Sequence, residues 1–469
     1  MNYRHLLGNF SIALLAQATS LLLGFVTSLI IPKVLNVTEY GYWQLFVFYA
    51  GYVGFFHFGL NDGVYLIHGG ETRKNIDKRS IGSQFSFSIA MESLMSIALI
   101  VVALFGPFET ERTFIILATA IFLLINNAAL FLGYIFQAMN ETKIFSYSTA
   151  INNLMLLIAL IFLSILGIHD FRIYISFYVA AKTLSLLYCI IKGRELVFIK
   201  KYPLKKTAKL AFSSVRVGSK LLIANLASML IIGFLQFFVD FHWGVEVFGK
   251  LSFALSLVSL FQIFAAQASM VLFPALRQTN AKEITSFFSI ASLALGIVLP
   301  AAFVLYLPIS VTLNLWLPQY EESFRLFGLL LPICLFESRM DLIGVTYLKV
   351  LRKEKTLLII NCVASLLSMG SVLASILIFG SIELAIILMV FIIACRSLFT
   401  EHFIRKTICA PTDNMALFTI IFSILFIIGH LLLPSIITFS LAIIGYGFYV
   451  VTQRKKITTI KTLFKETTA

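Results

Sequence analysis

The chain has 469 residues, of which 59% are hydrophobic and 12% are charged, and its formal net charge is +14. Soluble domains contain about 45–50% apolar residues, so one water-soluble core could not bury this much apolar surface. The composition excludes an ordinary soluble enzyme and predicts an all-α integral membrane protein. The basic residues form no stripe with base-stacking aromatic residues outside the apolar segments, so we expect no nucleic-acid partner.

About fourteen apolar segments follow one another along the chain, and a transmembrane helix needs about 20 such residues. Gly380 and Ser381 turn one tight pair of segments, and Pro434 and Ser435 turn the last pair. The predicted spans are 6–31, 42–67, 83–105, 113–139, 147–168, 172–192, 218–241, 247–273, 285–307, 323–347, 356–379, 381–399, 415–433 and 435–452.

Lysine and arginine residues distinguish the two sides of these predicted helices. With the N-terminus in the cytoplasm, the most basic loop, 193–217, lies inside, and only Lys33, Arg112 and Arg172 lie in outer loops. Positive residues are retained on the cytoplasmic side of membrane proteins. We therefore expect a multi-pass protein with both termini in the cytoplasm. No predicted loop is long enough for a catalytic domain, so we do not expect an enzyme.

The long basic loop separates two sets of six predicted helices. An offset of 208 residues aligns Tyr40-Gly41 with Phe248-Gly249, and each pair follows an apolar helix and a short outer loop. This pattern indicates a parallel repeat about an axis along the membrane normal, although two apolar helices also resemble each other by chance. The predicted organisation is an N-terminal six-helix bundle at 1–192, a basic cytoplasmic linker at 193–217, a C-terminal six-helix bundle at 218–399, two extra transmembrane helices at 400–452 and a basic cytoplasmic tail at 453–469.

The segment after the first predicted span carries a recognisable motif. Glu39-Tyr40-Gly41-Tyr42-Trp43-Gln44-Leu45 continues through Tyr52–His57 to Gly59-Leu60-Asn61-Asp62-Gly63. Together with the layout of six, six and two helices, it resembles the Wzx-type polysaccharide and O-antigen repeat-unit flippases of the multidrug/oligosaccharidyl-lipid/polysaccharide exporter (MOP) superfamily. The resemblance in motif covers about residues 6–70, and the resemblance in layout covers the chain.

The resemblance implies two six-helix bundles in a V-shaped, MATE-like arrangement, followed by two extra helices. It implies that the chain moves undecaprenyl-diphosphate-linked oligosaccharide repeat units from the inner to the outer leaflet of the bacterial plasma membrane, for O-antigen, capsule or exopolysaccharide synthesis. A cationic cavity between the bundles would hold the diphosphate and the sugars. Membrane lipids, a polysaccharide polymerase and a chain-length regulator are the expected partners.

Ionisable residues inside the predicted spans are the first candidates for a path that carries a charged headgroup. Lys182 lies at the middle of the sixth span, where a cation costs about 2.5–3.5 kcal/mol. We expect it to bind an anion or to pair with an acid such as Glu92. Arg339 in the tenth span has acids two residues away on both sides, and these do not share its helix face. It is available for a bidentate phosphate contact unless a carboxylate of another helix pairs with it.

Three further cations in the spans are candidates for the cavity. Arg396 lies near the cytoplasmic end of the twelfth span, and we expect its side chain to extend to the interface. Lys250 and Arg325 lie close to outer helix ends. They would line the outer mouth of the cavity or extend to the interface.

Three other ionisable residues, His57, Asp62 and Glu92, are candidates for ion or proton coupling. A histidine in a helix is more often a packed residue, and Asp62 also suits a helix end because Asn61 and Gly63 flank it. Both interpretations stay open at the level of the sequence.

No cofactor or metal site is predicted. The five cysteines form no CxxC pair. Gly244–Lys250 fits G-x-x-x-x-G-K, but Leu251 follows in place of the serine or threonine that would bind magnesium. We therefore expect transport to use an ion gradient, the membrane potential or a partner.

Two other functions remain open. An ion-coupled drug exporter of the same superfamily would need an acidic cavity for cations. A membrane polysaccharide polymerase or ligase would need a sizeable outer loop, and the longest, 308–322, carries no evident catalytic arrangement. The peptidoglycan-precursor flippases are similar in span number, but they carry arginines on their first, second and eighth helices. This chain instead offers, inside the corresponding helices, the residues Gln17, His57 and Gln262 or Gln267.

Overall fold

The computed structural model describes residues 18–277, 281–411 and 415–453, with the side chains of 18–263, 284–411 and 417–453. Within these ranges the regular secondary structure is helical, and no strand occurs. The start of the first predicted span, 6–17, and the basic tail after 453 lie outside the described residues, as do the side chains of Gln17 and Gln267.

The α-helices follow one another with short connections. Val26–Ile30 of α1 is π-helical, the 3-10 turn Val53–His57 extends α2, and the π-helical stretch Met340–Val345 joins α13 to α14. The helices are α1 (Ala18–Val34), α2 (Val37–Tyr52), α3 (Leu60–Ile67), α4 (Lys78–Phe105), α5 (Thr110–Ala138), α6 (Thr142–Ile165), α7 (Phe171–Lys192), α8 (Arg194–Val197), α9 (Leu204–Arg277, with a non-helical Gly244), α10 (Ala281–Val298), α11 (Ala301–Trp316), α12 (Glu321–Leu330), α13 (Pro332–Arg339), α14 (Thr346–Val350), α15 (Glu354–Phe379), α16 (Ile382–Thr407), α17 (Met415–Leu432) and α18 (Ser435–Thr452).

Every predicted span overlaps helix in the described part of the chain. By length and hydropathy, nine helical stretches there are candidate membrane spans, and two shorter apolar helices, Ala18–Val34 and Leu417–Leu432, add to them. The prediction of an all-α membrane protein is confirmed. The total of about fourteen crossings stays a prediction, as does the side of the membrane on which each loop lies.

Polar side chains fix where several of these helices begin. The Asn36 side chain accepts a hydrogen bond from the backbone N–H of Glu39 at the start of α2, and Asp77 accepts one from the N–H of Ser80 at the start of α4. Ser381 caps α16 in the same way. Such caps satisfy backbone donors that have no partner inside the helix.

The helices form two compact units. Unit 1 comprises the described residues up to Leu226 together with Trp243–Gly249, and unit 2 comprises Ala227–His242 and the described residues from Lys250 onward. Each unit has its own apolar cluster, around Leu60, Phe131 and Phe136 in unit 1 and around Phe288, Tyr347 and Ile404 in unit 2. The predicted division into bundles, linker, extra helices and tail remains a prediction.

Each residue of the Glu-Tyr-Gly motif has a structural role in unit 1. The Glu39 carboxylate accepts a hydrogen bond of 2.9 Å from the backbone N–H of Phe171 at the start of α7. Tyr40 is fully buried, and its hydroxyl accepts a hydrogen bond from the Gln44 side chain. A Cβ on Gly41 would meet a backbone oxygen of α9, so only glycine fits there. The motif therefore joins α2 to α7 and α9.

The contact of Gly41 with α9 is reciprocal. A Cβ on Gly41 would lie close to the Val245 carbonyl oxygen, and a Cβ on Gly249 would lie 3.1 Å from the Val37 carbonyl oxygen and 2.9 Å from the Gly41 Cα. These pairs are related by the same offset of 208 residues that aligned the two aromatic-glycine pairs in the sequence. A contact between equivalent positions is what a two-fold repeat produces, and it supports the predicted repeat at this point.

The segment predicted as a cytoplasmic linker packs against the rest of unit 1. Leu196 and Ala211 are buried in its apolar cluster, and the Ser214 hydroxyl donates a hydrogen bond of 2.7 Å to the Gln84 side chain of α4. A Cβ on Gly63 would lie within 2 Å of the Ser214 carbonyl oxygen. The segment is therefore a packed element rather than a free tether.

An ionic group, here called the loop cluster, joins three connections at one end of unit 1. Arg73 pairs with Glu141 at 2.5 Å and with Glu195 at 3.1 Å, and Lys78 pairs with Glu195 at 2.5 Å. The hydrogen bond from Lys78 and the charge of Arg73 hold the pKa of the Glu195 carboxyl below its usual range. The loop cluster comprises Arg73, Lys78, Glu141 and Glu195.

Candidate functional site

The five predicted in-span cations have different surroundings. Lys250 pairs with Glu322 at 2.9 Å, and Arg325 approaches Glu383 at 3.6 Å. Both of these pairs have one exposed partner, so solvent screens them strongly. Their part in lining an outer mouth stays a prediction. The two remaining arginines of unit 2 are buried, and Lys182 in unit 1 has no carboxylate partner among the residues that the structure describes.

Lys182 lies half-buried on α7, in the middle of an apolar helix. It forms no ion pair or hydrogen bond with any described side chain or backbone group. The acid that the sequence suggested as a partner, Glu92, is fully buried and accepts a hydrogen bond from Ser88 of its own helix instead. The predicted Lys182–Glu92 pair is therefore not formed, and a cation remains that no acid neutralises.

Polar side chains line the part of α6 and α7 around Lys182. One turn along α7, the Ser185 hydroxyl contacts the Ser148 hydroxyl of α6 at 2.8 Å, and a further turn along, the Cys189 thiol donates to Ser148. Consecutive helices joined by a short loop run antiparallel, so the Asn152–Asn153 pair, one turn beyond Ser148, lies level with Lys182. We name the residues Ser148, Asn152, Asn153, Lys182 and Ser185 the polar track.

The polar track reaches the first described helix. The Asn153 amide donates a hydrogen bond of 2.8 Å to the Ser20 hydroxyl of α1, and the Asn152 amide donates to the Asn153 oxygen at 3.1 Å. These groups satisfy one another in part, and none of them carries charge. Lys182 is thus the one ionised group of a track that offers hydrogen-bond donors and acceptors on three helices of unit 1.

Arg339 is buried against a carboxylate in unit 2. It is 2% exposed, and its guanidinium donates to both Glu401 oxygens of α16, at 2.9 Å and 2.7 Å. Ser292 and Arg405 also donate to Glu401. Of the two sequence interpretations, the structure shows the interhelical salt bridge. A role of Arg339 in phosphate binding stays a prediction that requires this pair to open.

Arg396 also lies in the interior of unit 2, so the expectation that it extends to the interface is wrong. It is 3% exposed, donates to Glu337 of α13 at 2.5 Å and donates to the Ser228 hydroxyl at 3.0 Å. The sequence suggested an interface position because Arg396 is near a helix end. The pairing with Glu337 and the hydrogen bond to Ser228 keep it inside, because a paired and hydrogen-bonded charge loses less on desolvation than an isolated one.

The two buried arginines form a reciprocal connection between α13 and α16. Glu337 and Arg339 of α13 pair with Arg396 and Glu401 of α16, so each helix supplies one charge of each sign. We name these four residues the arginine clamp. The sequence analysis missed both acids as partners, since Glu337 was considered only against its neighbour in the chain and Glu401 lies 62 residues from Arg339. Glu401 also lies outside the predicted span 381–399, so the charges within the spans gave no signal for this pair.

His57 and Asp62, predicted as coupling candidates, lie together in unit 1. The His57 Nε2 and Asp62 Oδ2 atoms are 3.7 Å apart, and the two residues are 5% and 9% exposed. Glu92, the third candidate, is on α4 and has one oxygen without a hydrogen-bond partner among the described residues. No group of three metal-ligating side chains occurs within the described ranges.

Comparison with known proteins gives a consistent picture of the fold. The family described as "Polysaccharide biosynthesis protein" matches residues 6–280. The solved structure of a lipid II flippase, MurJ, in an inward closed conformation has a TM-score of 0.64 at 16% sequence identity, and the match covers 95% of this chain and 99% of that one. No curated protein sequence matches the chain significantly.

Multidrug transporters share the fold as well. An inward-facing multidrug resistance MATE family transporter of the MOP superfamily has a TM-score of 0.55 at 13% identity, and the match covers 86% of this chain and 97% of that one. At these identities the likeness concerns the fold alone. The MATE-like fold that the sequence resemblance implied is thereby confirmed, and the matched residues include the Glu-Tyr-Gly motif.

Proposed function

Because the chain belongs to the polysaccharide biosynthesis protein family, we propose that it is a flippase for lipid-linked oligosaccharides. Its substrate is an undecaprenyl-diphosphate-linked repeat unit, which it moves from the inner to the outer leaflet of the bacterial plasma membrane. The repeat units serve the synthesis of O-antigen, capsule or exopolysaccharide. A polymerase and a chain-length regulator would act on the product outside, and both termini of the flippase would lie in the cytoplasm.

The observation that carries this proposal is the unpaired Lys182 in the polar track. A diphosphate with attached sugars cannot cross hydrocarbon alone, since desolvation of an isolated charge costs tens of kcal/mol in the Born limit. A fixed positive charge in the membrane interior offsets that cost, and hydroxyl and amide groups beside it replace the water around sugars. Lys182 supplies the charge and the half-buried Asn152 supplies such a group, whereas Ser148 and Ser185 are buried against each other.

The paired cations of unit 2 fit a structural role better than a binding role. Each arginine of the arginine clamp is already paired with a carboxylate, and an incoming phosphate would have to displace it. Removing one partner of a buried pair costs about 3–5 kcal/mol, so a phosphate contact there is unfavourable. Lys250 and Arg325 remain candidates for weaker contacts with the sugar-diphosphate headgroup.

A second candidate function is export of organic cations, and the buried Glu92 favours it. One Glu92 oxygen has no hydrogen-bond partner among the described residues, and a carboxylate in an apolar helix is a natural ligand for a cation. The same unit, however, holds Lys182 in the polar track, and no acid of the described residues neutralises it. Charge repulsion between Lys182 and a cationic drug makes the exporter the less favoured function.

A vesicle assay separates the two functions. Purified protein is reconstituted with a fluorescent lipid-linked oligosaccharide, and translocation is read as protection of the label from a membrane-impermeant quencher. The flippase proposal predicts protection that needs the protein and does not respond to cationic dyes. Dye efflux without oligosaccharide translocation would replace the proposal with the exporter.

A further inference from the structure

The second predicted span is interrupted inside its apolar sequence. α2 tightens into the 3-10 turn Val53–His57, and Phe58 and Gly59 then adopt φ values of +51° and +87° before α3 begins at Leu60. Left-handed residues do not continue a right-handed helix. The span therefore consists of two helical pieces, α2 and α3, that are joined by two residues. We name Phe58 and Gly59 the break.

Two hydrogen bonds join α5 to the chain on either side of the break. The Asn127 amide donates a hydrogen bond of 2.9 Å to the Val53 carbonyl oxygen, and the Asn61 amide donates to the Asn127 carbonyl oxygen at 3.3 Å. Irregular backbone at membrane depth occurs where protein groups line it. Specific hydrogen bonds on both sides of the break therefore stabilise it within unit 1.

The piece after the break lies in direct backbone contact with α9. A Cβ on Gly218 would lie 2.0 Å from the Gly59 carbonyl oxygen and 2.5 Å from the Gly63 backbone nitrogen. No side chain separates the two helices at this point. A change of angle at the break therefore has to displace α9 or slide along it, so the break is mechanically connected to a neighbouring helix.

His57 and Asp62 occupy the two sides of the break. The His57 Nδ1 atom accepts a hydrogen bond of 3.0 Å from the backbone N–H of Gly59. The neutral ring therefore carries its proton on Nε2, which lies 3.7 Å from the Asp62 carboxylate. That distance is too long for a direct hydrogen bond but short enough for strong electrostatic attraction once the ring is charged.

We propose that His57 and Asp62 form one proton-binding site that controls the break. A proton that binds at Nδ1 converts the imidazole to imidazolium and leaves a neutral ion pair with the Asp62 carboxylate. The Nδ1 atom then has no lone pair for the Gly59 N–H, so the hydrogen bond across the break is lost. Loss of the proton restores it. The ligand of this site is the proton, and its binding and release break and restore the hydrogen bond between His57 and the Gly59 N–H.

The other titratable and charged groups near this pair belong to α3, α4, α5 and α9. The titratable side chain of α5 near Asp62 is Tyr134, and α3 contributes Tyr65. Gly218 and Ser219 of α9 lie against Gly59 and Ser214 lies against Gly63, whereas Arg216 and Lys220 of α9 are exposed. Glu92 of α4 is bonded to Ser88. No other cation of the described residues pairs with Asp62.

The test measures the geometry of the break directly and needs no transport substrate. Nitroxide labels are placed at Ile67, at the end of α3, and at Ile191, near the end of α7, both of which are exposed. Accessible native thiols, Cys362, Cys395 and Cys409, are first replaced by serine. The label-to-label distance distribution of the full chain in nanodiscs is then measured by pulsed electron resonance between about pH 5 and pH 8, the range in which histidine titrates.

The matched variant is His57→Asn, because its side-chain oxygen still accepts the Gly59 N–H but does not titrate. The otherwise unchanged protein should shift its mean distance by about 2 Å or more with a one-proton midpoint, and His57→Asn should show one distance at all pH values. Asp62→Asn should lower the midpoint, since imidazolium then lacks its counter-charge.

Three results would overturn the proposal. They are a distance that does not change with pH, an equal change in His57→Asn, or an unchanged midpoint in Asp62→Asn. If transport is also proton-driven, the same variants should lose its pH dependence, and that statement alone rests on the proposed function. A working switch in a protein that moves no lipid-linked oligosaccharide would contradict the function and leave the site intact.

Discussion

Lys182 in α7 of unit 1 and Arg339 in α13 of unit 2 are both cations in apolar helices, but their surroundings differ. Arg339 is buried with Glu401, and the arginine clamp neutralises the second buried arginine, Arg396, in the same manner. Lys182 has polar neighbours, and no acid in the described part of the chain pairs with it. A neutralised cation holds helices together, whereas an unpaired one is retained at a cost in stability. The comparison shows that the position of a cation within a span does not identify it as a binding residue. The lack of a neutralising carboxylate is what identifies it.

The largest effect on stability should follow from breaking the arginine clamp. Glu401→Gln leaves Arg339 buried without a counter-charge, and we expect a loss of about 3–5 kcal/mol in the free energy of unfolding. Thermal unfolding in detergent measures it. The control is Glu322→Gln, whose partner Lys250 forms an exposed pair worth at most about 1 kcal/mol. Equal losses of stability in Glu401→Gln and Glu322→Gln would contradict the structural role of the arginine clamp.

The opposite result is expected for Lys182. A lysine at the centre of a span costs about 2.5–3.5 kcal/mol, so Lys182→Met should raise the thermal stability of the protein while abolishing translocation. Arg339→Met should lower stability instead. A destabilised Lys182→Met variant would mean that Lys182 has a structural partner, and it would contradict the account of unit 1.

Two further substitutions of Lys182 distinguish the contribution of its charge from that of its shape, and we expect a smaller effect from them. Lys182→Arg keeps the positive charge and should retain a substantial part of the translocation rate, whereas Lys182→Gln should lose most of it. The exposed Lys33→Gln serves as the control, because it removes the same charge from the end of α1. Equal activity of the Arg and Gln variants would show that charge at this position is unimportant.

The smallest effect concerns the loop cluster at the end of unit 1. Because the folded-state pKa of Glu195 is lowered, its contribution to stability is present above the unfolded value of about 4.3 and is lost as the pH falls through the folded value. Glu195→Gln should therefore reduce stability by at most about 1 kcal/mol at neutral pH and have less effect at about pH 3. A pH-independent difference between the variant and the unchanged protein would contradict this assignment.

The sequence predicted the helical segments well because apolar runs of span length have few alternatives in a membrane protein. The Glu-Tyr-Gly motif led to the family, and its glycine marked the contact between α2 and α9. Side-chain pairing was less predictable. Glu401 neutralises Arg339 from another helix, and no local pattern links the two. The break after His57 was also missed, because its signal, a positive φ at Phe58, occurs at a residue that does not favour it.

The most direct measurement of the central claim is the affinity of the purified protein for an undecaprenyl-diphosphate-linked oligosaccharide in nanodiscs. If Lys182 is the charge that binds the headgroup, Lys182→Gln should bind roughly ten- to hundredfold more weakly, in keeping with the loss of one charge-assisted contact. Lys182→Arg should have a near-normal Kd. An unchanged Kd in Lys182→Gln would contradict the account.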